Sequence, residues 1–207
     1  MSSDELLAGL EEKWDKAVNH EFIKACIDGS VKPEQFNRWL VQDYYYVRGF
    51  TPFAGSLLAS APDSHLETIV SGIAALTDEL AWFKDTAQKR GCDVTIIGMQ
   101  PACVAYRQFM QGLHSEPYAI KATAFWAIEA VYHTAWASVL RNAASEELKQ
   151  YSHRWGNPAF GEYVQQLRFH ADEALAFTPE LLPQARKVVE QVADLEVDFW
   201  GMAYNEA

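Results

Sequence analysis

The stretch Ala122-Thr-Ala-Phe125-Trp126-Ala-Ile-Glu129-Ala-Val-Tyr132-His133-Thr-Ala-Trp136-Ala-Ser-Val-Leu140 decides the fold. It is apolar for long enough to span a bilayer. Yet Glu129 and His133 stand near its middle, and either side chain would be costly in lipid. The reading that satisfies both facts is the buried central helix of a soluble protein.

Composition widens that reading to the whole chain. It has 207 residues, 49% of them hydrophobic, enough for one sizeable core and too apolar for disorder. A mean hydropathy of -0.18 is too low for a membrane bundle. Acidic residues number 28 against 17 Lys plus Arg, for a net charge of -11, and no basic block occurs. Most of this surface repels a phosphate backbone, so nucleic acid is excluded as an expected partner. The three cysteines, Cys26, Cys92 and Cys103, form no CxxC pair and suggest neither a disulfide framework nor a cysteine zinc site. Met1-Ser-Ser-Asp-Glu5 shows neither a basic leader nor an apolar segment, so the expected compartment is the cytoplasm, away from membrane.

The apolar periodicity is helical almost throughout. Leu6, Leu7, Leu10, Trp14 and Val18 predict a helix over 4–19, and Phe22 and Ile23 mark a short one stopping near Gly29. Pro33 suits the first position of a long helix ending before Pro62, with Pro52 expected to kink it. Leu66, Ile69, Ile73, Leu76, Leu80 and Phe83 form a clean stripe, closed by Gly91. Residues 91–101 predict a loop, because its strand-like Asp93-Val-Thr-Ile-Ile97 has no partner strand in the chain. Helices are expected at about 102–113, 118–143, 145–153, 157–176 and 183–204. The expectation is one all-α domain over residues 1–207, a bundle of about seven or eight helices with short connections.

A plain bundle leaves some polar residues unexplained. Asp43, Tyr46 and Phe50 share one helix face at i, i+3 and i+7. Glu129 sits among Phe125, Trp126, Tyr132, His133 and Trp136. Glu196 continues the row of Val189 and Val192 and is followed on it by Trp200. On such faces a carboxylate is costly when ionised without a partner, and its pKa shifts upward. Each alone reads as a satisfied core hydrogen-bonder. Three on three helices, all beside aromatics, suggest an aromatic-walled cavity with inward carboxylates, suited to acid–base chemistry on a flat polar ligand.

Spacing tests the rival chemistries. A di-iron bundle requires Glu-x-x-His pairs, and no histidine here has an acid three residues before it. Glu129 and His133 make a single helix-face pair, too little for a metal site. Gly-x-Ser-x-Gly, dinucleotide and Walker loops are absent. His20 stands where a haem-binding helical protein could use a first-helix ligand, and a surface histidine is the plainer reading of it.

Gln42-Asp43-Tyr44-Tyr45-Tyr46, Ala105-Tyr106 after Pro101, and Glu196-Val-Asp-Phe199-Trp200-Gly-Met-Ala-Tyr204 together resemble the TenA family, also called thiaminase II. The resemblance covers essentially the whole chain. It implies a haem-oxygenase-like all-α fold without haem, a homodimer or homotetramer, and a pocket for the aminopyrimidine half of thiamin. It further implies that Asp43 grips the pyrimidine's amino edge, that Tyr46 and Tyr106 line the pocket, and that Glu196 exchanges a proton with ring or leaving group. Trp155 stands where many members carry a tyrosine, which keeps a stacking surface and loses the hydroxyl. Tyr132 and His133 compete for the place of a neighbouring pocket tyrosine.

One departure bears on activity. The family's catalytic cysteine belongs in the central helix, and no cysteine lies between 104 and 207. Phe125-Trp-Ala-Ile-Glu129-Ala-Val-Tyr132 resembles the subgroup in which glutamate replaces it. That resemblance implies salvage of thiamin breakdown products rather than cleavage of thiamin. The expected reaction is hydrolysis of 4-amino-5-aminomethyl-2-methylpyrimidine, or its N-formyl derivative upstream, with Glu129 activating water, or as the lesser alternative attacking directly, and Glu196 as proton donor. No metal and no organic cofactor is required. The alternatives are a non-catalytic pyrimidine-binding protein and a haem-binding relative using His20.

Overall fold

The computed structural model describes residues 3–205, with side chains from Glu5 onward. Among them the regular structure is entirely helical: α1 (Ser3–Leu7), α2 (Glu11–Val18), α3 (Glu21–Asp28), α4 (Pro33–Leu58), α5 (Leu66–Lys89), α6 (Pro101–Gly112), α7 (Tyr118–Asn142), α8 (Glu146–Gly156), α9 (Pro158–Phe177) and α10 (Leu182–Tyr204). Short 3-10 turns precede α5 and α10 and follow α6. These ten α-helices exceed the expected seven or eight in part because the helix foreseen over 4–19 is two. It breaks at Gly9, where φ is +78°. The loop expected at 91–101 lies between α5 and α6, and its strand-like segment is a turn. Asp93 closes that turn, accepting from the Thr95 backbone N–H (2.8 Å) and hydroxyl (2.6 Å). Those bonds hold the Asp93 carboxyl below its ordinary pKa.

The chain divides into two compact units, Met1–Val31 with Pro117–Gly201, and Lys32–Glu116 with Met202–Ala207. In the first unit α7 packs against α2, α3, α8 and α9. From Ala119 to Val131 every residue of α7 is buried except Glu129, which is half-buried. That is the buried part of the central helix expected, with the acid as the single interruption of those thirteen residues; Tyr132 and His133 beyond it are half-buried and Thr134 is exposed. Alanines at 119, 122, 124, 127 and 130 keep α7 slender. At its crossing with α8 the approach is closest at Gly156, where a Cβ would lie 2.7 Å from the Trp136 carbonyl oxygen and 2.9 Å from the Ala137 backbone. Only glycine fits there without moving one helix.

In the second unit α4 packs against α5 and α6. Pro33 is the first residue of α4, where its missing N–H costs nothing, and the helix continues through Pro52 to Leu58. The terminal carbonyls of α10 are satisfied from α4. Arg38 donates to the carbonyls of Ala203 (2.9 Å) and Asn205, and Gln35 to that of Tyr204 (2.6 Å). Among the described residues no helix is long and apolar enough to cross a membrane.

Candidate active site

The residues expected to carry chemistry fall into two groups, one in each unit. In the first unit, Glu129, Tyr132 and His133 stand on α7, Trp155 in the last turn of α8, and Glu196 on α10. Trp155 is therefore helical, because α8 runs three residues beyond the expected end at 153.

Tyr132 and His133, adjacent in sequence, face different neighbours because successive helical residues diverge by about 100°. Tyr132 joins a cluster of large rings. It stacks on Trp200 (5.8 Å between centroids, 14° between planes) and meets Trp155 edge-on (5.4 Å, 83°). Trp200 also stacks against Phe22 (5.5 Å, 10°), and Trp136 completes the cluster against both Trp155 and Trp200. Trp200 is fully buried, and its indole N–H has no hydrogen-bond partner among the described residues. His133 turns instead toward the start of α9, stacking on Phe160 (5.8 Å, 28°) beside Gly161. Its Nδ1 lies 2.6 Å from the Trp155 carbonyl oxygen, which places the ring proton on Nδ1, where it donates to that carbonyl. His133 thus ties α7 to the residue that carries the Trp155 ring.

The Tyr132–Trp200 contact also relates the two glutamates. Glu129 precedes Tyr132 by one turn on α7, and Glu196 precedes Trp200 by one turn on α10. Residues three or four apart share a helix face. Both residues therefore sit one turn before a ring of the stack, Glu129 on the face of α7 that carries Tyr132 and Glu196 on the face of α10 that carries Trp200. Glu196 is 3% exposed, while Glu129 is half-buried.

In the second unit Asp43 is 2% exposed on α4. Tyr46, one turn on, meets Tyr106 of α6 edge-on (4.9 Å, 68°) and stacks on Phe50 (6.0 Å, 16°). Cys103, one turn before Tyr106, is buried beside Asp43, and its thiol donates to the Gln42 carbonyl (3.5 Å). Burial, with the Asp43 charge adding to it, pushes that thiol up to about 12. At neutral pH it keeps its proton and is a poor nucleophile. Gln42, fully buried, anchors the neighbouring loop. Its Nε2 donates to the Gly98 carbonyl (3.0 Å), and its Oε1 accepts from the Gln100 backbone N–H (2.8 Å). The Tyr45 hydroxyl, directed at the carbonyls of Val94 (2.6 Å) and Ile97 (2.8 Å), holds the rest of that loop.

Sequence reasoning assigned no role to Gln42 or to the Phe22–Trp200–Tyr132 stack. A polar residue inside an apolar helical stretch was a usable signal for Gln42. Ring partners on separate helices left no signal at all. His20, the candidate haem ligand, is half-buried at the N-cap of α3, where its Nδ1 accepts from the Phe22 backbone N–H (3.1 Å). Burial lowers its pKa, which suits a ring nitrogen used as an acceptor. Among the described residues no three His, Cys, Asp or Glu side chains gather in a metal-binding arrangement.

An all-helical bundle with carboxylates set among aromatic rings defines the class to which the comparisons then give a family. Residues 7–206 match the TENA/THI-4/PQQC family, and the chain belongs to it. It is 36% identical to a probable bifunctional TENA-E protein of Glycine max, over 94% of this chain and 93% of that one. It is 22% identical to the aminopyrimidine aminohydrolase of Bacillus subtilis, over 99% and 90% of the two chains. The crystal structure of a TenA homologue from Pyrococcus furiosus superposes with a TM-score of 0.90 at 27% identity, covering 99% of this chain and all of the other. The fold is the all-α, haem-oxygenase-like bundle of the TenA proteins.

Proposed function

We propose that this protein is a thiamin-salvage hydrolase that releases ammonia from 4-amino-5-aminomethyl-2-methylpyrimidine, accepting the N-formyl derivative as well. The observation that supports the proposal is the Tyr132–Trp200 stack, with a glutamate one turn before each ring, in a chain of the TENA/THI-4/PQQC family that is similar to an aminopyrimidine aminohydrolase. The half-buried Glu129 is the better candidate for the base, since an ionised carboxylate needs some contact with water or polar groups. Glu196, 3% exposed, is assigned the acid.

In the reaction, Glu129 takes a proton from water as the water oxygen bonds to the exocyclic methylene carbon. The C–N bond breaks, and Glu196 gives its proton to the departing nitrogen, which leaves as ammonia. In the first unit Tyr132 and Trp155 supply flat apolar surface; in the second, Asp43 is assigned the binding of a pyrimidine's amino edge, with Tyr46 and Tyr106 as flat surface beside it. His133 acts at one remove, by fixing the backbone of Trp155. The Trp200 indole N–H adds a buried donor, and leaving such a group unmade costs about 1–3 kcal/mol that a ligand acceptor returns.

The test is a panel of thiamin, the formylaminopyrimidine and the aminopyrimidine, each with product identification. Ammonia and hydroxymethylpyrimidine from the aminopyrimidine at catalytic enzyme concentration are the expected result. Binding of all three without turnover would establish the alternative, a pyrimidine-binding protein. The specific ground for that alternative is that α7 carries no thiol and that Cys103 keeps its proton.

A further inference from the structure

A groove of about 440 Å³ in the second unit lies apart from the aromatic pair of Tyr46 and Tyr106. It is lined by Gly49 and Pro52 of α4, Met99 of the loop, Val104, Arg107, Gln108 and Gln111 of α6, and His114 beyond it. No lining residue is acidic, although the chain carries 28 acids against 17 Lys plus Arg. Positions 104, 107, 108, 111 and 114 recur at three- and four-residue spacing, so one stripe of α6 and the turn after it presents the guanidinium, two amides and an imidazole together.

Arg107 is held in place rather than trailing in solvent. Its Nη1 donates to the Tyr45 carbonyl (3.1 Å) and lies 3.2 Å from the Met99 sulfur. Its stem crosses Gly49 so closely that a Cβ there would be 2.7 Å from both Cγ and Nε. A glycine in mid-helix is destabilising relative to alanine, and here it makes the room that Arg107 occupies. Nε and Nη2 make no hydrogen bond, and the guanidinium has no carboxylate partner, among the described residues. Those two nitrogens form one edge of the planar fork that matches a carboxylate or phosphate oxygen pair. Gln108, Gln111 and His114 are exposed, with no side-chain partner among the described residues, and Pro52, Val104 and Met99 supply apolar surface.

We propose that this groove binds a small organic anion, a carboxylate or phosphomonoester carried on an apolar body, with its head group on the Arg107 fork. The volume lies in the range of small-ligand sites, and a few convergent polar groups on an apolar floor are what such sites use. The inference stands on Arg107 and its surroundings and does not depend on the hydrolase reading.

The test titrates the full chain with benzoate, phenyl phosphate and, as a neutral control, benzyl alcohol. Heat of binding and the NMR signals of the Arg107 Nε–H and the His114 ring are followed. Saturable binding of benzoate or phenyl phosphate that moves both signals, with none by benzyl alcohol, is expected, and the tighter of the two acids identifies the head group. Arg107→Ala should abolish it. Arg107→Lys should weaken it, since the point charge remains and the fork does not. Gln111→Glu changes an exposed side chain without partners, so it keeps the test valid if Arg107→Ala fails to fold. It should reduce affinity by about tenfold or more by placing a like charge in the groove. Absence of saturable binding, or equal binding by Gln111→Glu, overturns the proposal.

Discussion

The two units hold their candidate residues by different physics. In the first, Glu129 and Glu196 stand one turn from a stack of large rings, and packing of those rings frames the segments that carry them. In the second, Asp43 follows Gln42, whose amide anchors an eleven-residue loop by paired hydrogen bonds, with the Tyr45 hydroxyl holding it further back. Packing is non-directional and spread over many atoms, so a ring stack is held by the sum of many small contacts. A residue next to a directional amide clamp depends on a few bonds that cannot be made another way.

The largest effect tests the first half of that contrast. Glu129→Gln and Glu196→Gln should each fold and still bind the hydroxymethylpyrimidine product, while turnover falls by ~10²–10⁴-fold, the usual contribution of a positioned acid or base. The double variant should be much less than multiplicatively worse, because the two groups act as a unit. Asp43→Asn should damage product binding together with rate. Near-normal turnover of Glu129→Gln would end the assignment of Glu129 as base, since an amide replaces a structural glutamate but not a base.

Stability separates the units next. Trp200→Ala removes the ring between Phe22 and Tyr132 and should cost about 3–5 kcal/mol in denaturant unfolding. A loss under 1 kcal/mol would mean that the stack does not set the first unit. Gln42→Leu should cost less, about 1–3 kcal/mol, from leaving the Gly98 carbonyl and Gln100 N–H without their partner. Its signature is local: faster hydrogen exchange at the Gln100 amide, with the amides of α7 unchanged. Slowed exchange at Gln100 or equal loss across α7 would show that the clamp is not a property of the second unit alone.

The smallest effects concern the thiols. Below the denaturation threshold at pH 8, iodoacetamide should label Cys92, which is half-exposed, and spare Cys26 and Cys103, whose pKa values burial raises. A raised thiol pKa favours the native state up to the unfolded value of about 8.5, and that contribution is lost as pH climbs toward the folded value. Alkaline titration monitored by unfolding should therefore show stability falling above about pH 8.5. Cys103→Ser should reduce that slope and leave turnover near normal. Inactivation of a folded Cys103→Ser would reassign the nucleophile.

Periodicity and punctuation determined the helices, since an apolar stripe must be buried and Pro and Gly fix where a helix begins and ends. The central helix was legible from one acid and one histidine in an apolar run, and the loop at 91–101 from the lack of any strand to pair with. The family was legible from Asp43, Tyr46 and the terminal Glu196-to-Tyr204 segment, whose residues match a pattern regardless of what they touch. Only tertiary structure separated Tyr132 from His133, adjacent in sequence and equally suited by type, because each ring's direction depends on neighbours from α8, α9 and α10. The same holds for Gln42 and for Arg107 over Gly49. Their partners come from elements distant along the chain, and sequence spacing carries no information about which side chains a fold brings within a few ångströms.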